Sequence, residues 1–75
     1  DLSNVWLTFA DFTNANLAAA NLTRTDLSKA NLTGANISGA NLDRANLDGA
    51  IFRNARGLDQ AAGLEKAINL DTIIE

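Results

Sequence analysis

A five-residue period constrains this chain more than any other feature, running without slippage from Asp1 to Ala55. Every fifth residue from Leu2 is large and apolar: Leu2, Leu7, Phe12, Leu17, Leu22, Leu27, Leu32, Ile37, Leu42, Leu47 and Phe52. A small residue, almost always Ala, stands two positions before each later member, and only Val5 and Thr25 break that rule. Between small and large sits Asn or Asp, except at Trp6 and Ile51. Five fits neither standard period. On an α-helix a five-residue step turns about 140° and scatters the leucines. On one flat strand an odd step puts successive leucines on opposite faces. The pattern resolves if each repeat is a short extended piece followed by a corner. Ala, Asn and Leu then read in, out, in, and the next two residues turn the chain. Gly34, Gly39, Gly49, Asn4, Asn14 and Asn54 suit corners that need a positive φ.

Composition narrows the chemistry. The 75 residues suffice for one small domain, yet there is no Cys, so no disulfide, thiolate nucleophile or Cys-based zinc site. The absence of His removes the commonest metal ligand and general base. A net charge of −3 suits solubility and is poor for holding nucleic acid by its phosphates. No apolar run approaches the roughly 18 residues of a membrane span, so no membrane insertion is expected. The sequence has no Met, which predicts a processed protein or a trimmed piece of a longer one. A mature secreted or lumenal protein would look like this, and so would a trimmed domain.

In tandem, A-(D/N)-L-X-X over residues 1–55 resembles the pentapeptide-repeat family. The resemblance implies an all-β solenoid, a right-handed quadrilateral β-helix with four repeats per coil. Eleven repeats then make just under three coils over residues 1–57. Residues twenty apart stack: Leu2 with Leu22 and Leu42, Leu7 with Leu27 and Leu47, Phe12 with Leu32 and Phe52, Leu17 with Ile37. Val5 and Thr25 fall in one column with Ala45. The family is widespread in cyanobacteria and in chloroplast thylakoid lumens, where many members have no known role; the resemblance therefore implies the thylakoid lumen or periplasm if the N-terminus is processed, and the cytoplasm otherwise.

The five-residue pattern stops at Arg56-Gly57, and residues 58–75 read as a short C-terminal α-helical cap. Asp59 is the expected N-cap, and Ala61, Leu64 and Ile68 form an i, i+3, i+7 stripe. Leu70, Ile73 and Ile74 extend its apolar surface. A solenoid end needs covering, which favours a cap over a dimerisation helix.

No catalytic constellation is visible, and no enzyme activity, cofactor or metal is expected. Asp43 with Asp48, and Ser28 beside Lys29, read as solvated repeat surface. Asn21-Leu22-Thr23, Asn31-Leu32-Thr33 and Asn36-Ile37-Ser38 match the glycosylation sequon, which the repeat generates automatically. The outward Asn and Asp series lacks the spacing of a calcium β-roll and is expected to bond to neighbouring coils and turns. Departures from the repeat are the candidate partner or end-covering surface: Trp6, Phe9 and Ile51 in the repeats, and Leu64, Ile68 and Ile73 in the tail. Trp6 and Phe9 fit either a cover for the N-terminal end or an anchor for a partner.

The function expected is a non-catalytic structural or protein-interaction module, an accessory subunit of a larger complex, with an unidentified protein partner or self-association through the solenoid ends. The alternative is a DNA mimic that binds DNA gyrase, as some members of the family do. Asp1, Asp11, Asp26, Asp43 and Asp48 against Arg24, Lys29, Arg44 and Arg53 leave this region at −1. Duplex DNA carries one charge per about 1.7 Å, so a rod of roughly 13 Å would need about eight. No nucleic-acid partner is expected.

Overall fold

A computed structural model describes all residues, Asp1–Glu75. The chain winds as a stack of coils in parallel register. Single-residue parallel bridges join Trp6 to Asp26, Asp11 to Asn31, Asn16 to Asn36 and Asn21 to Asn41, each pair twenty residues apart. Four bridge residues and four turns alternate in every coil, so the coil has four faces. Face 1 is carried by Asp1, Asn21, Asn41 and Ala62; face 2 by Trp6, Asp26, Asn46 and Ile68; face 3 by Asp11, Asn31, Ile51 and Ile74; face 4 by Asn16, Asn36 and Arg56. The extended pieces are one bridge residue long, and no longer strand forms. The stack measures 22 × 21 × 20 Å.

A single repeat shows why the five positions differ. In Ala30-Asn31-Leu32-Thr33-Gly34, the Ala30 N–H donates to the Leu27 carbonyl and closes the preceding corner. The Asn31 N–H donates to Ala10 of the coil before, and those of Leu32 and Gly34 to Ile51 and Arg53 of the coil after. The fifth N–H, on Thr33, donates to the Asn31 side-chain oxygen at 3.0 Å. Every backbone donor of the repeat is thereby satisfied, as a packed backbone requires. Each two-residue corner carries positive φ at its second residue, from Asn4 and Phe9 through Gly49 and Asn54. With the i to i+3 bond, this is the signature of a type II turn. The six residues expected to adopt positive φ do so, and Phe9, Ala19, Arg24, Lys29 and Arg44 adopt it as well.

Large and small inward positions build one core. Leu22, Leu27, Leu32, Ile37, Leu42 and Leu47 are fully buried, as are Ala30, Ala35, Ala40, Ala45 and Ala50. Ala is needed because two inward side chains per face meet at the centre of a narrow coil. Thr25 is the exception, a buried hydroxyl in an Ala position, and it donates to the Leu2 carbonyl at 2.6 Å. That carbonyl belongs to the first corner, the one corner whose i to i+3 bond does not form.

The tail corrects the sequence-based expectation. No α-helix forms over 58–75; three 3₁₀ turns span Leu58–Gln60, Leu64–Lys66 and Leu70–Thr72. Asp59 lies inside the first turn, and Gly57 precedes it with φ 87°. Nor does the tail lie across the last coil. It continues the coil: Arg56 bridges to Asn36, Ala62 to Asn41, Ile68 to Asn46 and Ile74 to Ile51. The offset between bridged residues grows from twenty to twenty-three, because the repeat has lengthened from five residues to six. Ala55, Ala61, Ala67 and Ile73 keep the small inward position, and Leu58, Leu64 and Leu70 the large one, all packed on the core. The added residue is Gly57, Gly63 or Asn69, each with positive φ, set between the bridge residue and the leucine.

This insertion makes specific demands on the glycines. A Cβ at Gly63 would stand 2.6 Å from the Asp43 backbone, and one at Gly57 the same distance from Ser38, whereas one at Gly39 meets nothing nearer than 3.9 Å. Gly39→Ala is therefore expected to cost about 1 kcal/mol from backbone conformation alone. Gly63→Ala adds a backbone clash and is expected to cost roughly 2–4 kcal/mol. Urea denaturation of the two variants checks the order.

Candidate interaction surface

The outer surface is set by the residue between small and large in each repeat. In nine of the eleven five-residue repeats this is Asn or Asp, and its oxygen accepts the N–H two residues on. These side chains are thus engaged in their own corners, as the local bonding habit of Asn and Asp favours. Hydroxyls reinforce several of them: Ser3 donates to Asp1, Thr13 to Asp11, Ser28 to Asp26 and Thr33 to Asn31. Asn69 of the tail donates to Asn46 across coils at 3.2 Å.

Two carboxyls respond to this arrangement. The Thr13 hydroxyl, then the Thr13 N–H, hold Asp11 below its ordinary value of 3.8. The Ser28 hydroxyl and N–H do the same for Asp26. Both groups lie at the surface.

Trp6 and Ile51 interrupt the series and offer no acceptor to Thr8 and Arg53. Trp6 is 88% exposed, and Phe9, at the corner that follows, is 70% exposed. Phe9 holds φ 63°, a conformation that costs a bulky L-residue about 1–2 kcal/mol. Its N–H donates to Ser28. Neither side chain is among those packed on the core. Ile68 and Ile74 stand outward on the tail, 49% and 38% exposed, and Ile51 is half-buried above Ile74. Leu64 and Ile73 point the other way and pack on the core. The candidate residues therefore divide: Trp6, Phe9, Ile51 and Ile68 belong to the outer surface, Leu64 and Ile73 to the inner.

The remaining candidates stay separate. Asp43 and Asp48 stand on successive corners, and Lys29 approaches Asp48 at 4.0 Å, an exposed pair of small energetic weight. Asn21, Asn31 and Asn36 of the three sequons each bind their own corner. The role of Thr25 escaped the sequence reading, although its departure from Ala was visible. The six-residue spacing of Gly57, Gly63 and Asn69, with Leu58, Leu64 and Leu70 one step later, was the signal that would have revealed the continued coil.

Comparison with protein families matches pentapeptide repeats in eight copies, over residues 1–34 and 25–56. The chain belongs to the pentapeptide-repeat family. No curated protein and no solved structure matches it. The matched pentapeptide repeats end at the residue where the six-residue spacing begins.

Two expectations follow from these contacts. Thr25→Val keeps the buried volume and removes the donor to Leu2; it is expected to cost about 1 kcal/mol in chemical denaturation. The carboxyls of Asp11 and Asp26 are lowered in the fold, so their stabilisation is complete above pH 3.8 and is lost as pH falls through their folded-state values. Asp26→Asn retains the acceptor, and its denaturation midpoint is expected to fall less than that of the wild type between pH 5 and about pH 2.

Proposed function

We infer that this chain is a right-handed quadrilateral β-helix that serves as a non-catalytic protein-interaction module, an accessory part of a larger assembly. Residues 1–57 act as its five-residue body, and 58–75 extend that body as a final coil of six-residue repeats. Pentapeptide repeats generally form a right-handed β-helix, and the coil of twenty residues with four corners is consistent with that form. The observation that carries the functional reading is Trp6 with Phe9. Each departs from the residue that best serves its own corner, and each stays exposed, so neither recovers the loss by burial. Large exposed aromatic groups are favoured anchors for a protein partner.

The Trp6→Asn, Phe9→Gly double variant tests this. Asn restores the missing corner acceptor, worth about 0.5–1.5 kcal/mol, and Gly relieves the positive φ. The variant is expected to match or exceed the wild-type unfolding midpoint. It is also expected to lose a protein that the wild type retains on purification from the native source. A variant that unfolds instead would show that the two rings cover the coil rather than bind.

A further inference from the structure

The outward apolar residues are not spread over the four faces. Faces 1 and 4 display Asp1, Asn21, Asn41 and Ala62, and Asn16, Asn36 and Arg56. Face 2 alone has a large apolar residue at both ends and polar residues between: Trp6, Asp26, Asn46, Ile68. Successive members are about 4.8 Å apart along the stack, so Trp6 and Ile68 lie roughly 14 Å apart. The corner bordering this face carries Phe9 on the first coil, Lys29 on the second and Asp48 on the third.

Such a column is complementary to itself when reversed. A two-fold axis in the plane of face 2, perpendicular to the stack, sets the first coil against the fourth of a second copy and the second against the third. Trp6 then meets Ile68 of the second copy, Asp26 meets Asn46, and Lys29 meets Asp48. Each contact occurs twice, as an isologous interface requires. Across the opposite border Arg24 reaches the height of Asp43 and Arg44 of the second copy, so that border carries both signs. Reversal about face 3 sets Asp11 against Ile74, and faces 1 and 4 carry no large apolar residue.

We propose that face 2 is an interface between two antiparallel copies of this chain, with Trp6 as its anchor and with Lys29 and Asp48, already 4.0 Å apart within each chain, meeting their counterparts across it as a four-charge cluster. This rests on the reading that the exposed departures serve contact, and it names the partner. The face is small, limited by a stack 20–22 Å across, which places the pair among weak, transient associations. A weak, transient association of this kind is expected to have a dissociation constant on the order of 0.1–1 mM.

The experiment is sedimentation velocity over a concentration series to several times that range, with Trp6 emission as a second reading, since it is the sole tryptophan. The wild type is expected to move from monomer to dimer as its emission shifts to the blue. Trp6→Asn is expected to stay monomeric while folded by circular dichroism. Lys29→Asp is expected to weaken dimerisation about tenfold, and Lys29→Asp with Asp48→Lys to restore it. A wild type that stays monomeric throughout overturns the proposal, as does a dimer indifferent to Trp6→Asn and Lys29→Asp. A monomeric wild type that still needs Trp6 and Phe9 to retain a different protein would overturn this interface alone and leave the interaction-module reading standing.

Discussion

The structure depends on hydrogen bonds between backbone groups one coil apart. Leu7 donates to Asp26, and Asp26 donates back to Val5. Pairing at that separation fixes where the chain turns, and the turns in turn dictate the repeat. Four corners per coil leave three residues for each face and two for each corner. The second corner residue takes positive φ, and the first has an N–H that no neighbouring coil reaches. The outward Asn or Asp supplies the missing acceptor, as Asn31 does for Thr33. Ala, Asn, Leu and a turn-forming pair are thus five answers to one accounting of backbone donors.

The same constraint tolerates a sixth residue. Adding Gly57, Gly63 or Asn69 between bridge and leucine leaves the inward pattern of Ala and Leu intact, and the ladder persists through Ile74. What changes is the tightness of the corner. Five-residue corners accept Arg24, Lys29 and Arg44 at positive φ, while the first two six-residue corners press against Ser38 and Asp43 and exclude any side chain. The tail also gives up the outward Asn. Its bridge residues are Arg56, Ala62, Ile68 and Ile74, and the outer positions become apolar after Arg56. An outward side chain can therefore vary at the cost of its corner bond while the inward core and the backbone ladder persist, as they do at Trp6 and Ile51.

The five-residue section was legible because its inward and outward residues differ in kind: Leu and Ala cannot exchange with Asn without losing burial or a corner bond. Stacking at twenty residues was implied by the family resemblance, and Val5 and Thr25 falling in one column with Ala45 agreed with it. The tail was misread for a physical reason. Ala61, Leu64 and Ile68 satisfy helical spacing, and Gln, Ala, Glu and Lys favour helix, so local propensity and pattern agreed on the wrong answer. Tertiary pairing overrode both, since Ala62, Ile68 and Ile74 gain ladder bonds that a helix would forfeit. Trp6, Phe9 and Ile51 stood out in the sequence as departures. That Trp6 and Ile68 share one face was hidden until the six-residue register was known.

Amide hydrogen exchange over residues 57–75, resolved by NMR, tests most directly whether one ladder runs through both periods. A continued coil predicts protection in blocks of three: Gln60, Ala61 and Ala62, then Lys66, Ala67 and Ile68, then Thr72, Ile73 and Ile74, with fast exchange at Leu58, Leu64 and Leu70. Unbroken protection across residues 62–68, or the absence of any contact between Ala62 and Asn41, would contradict it.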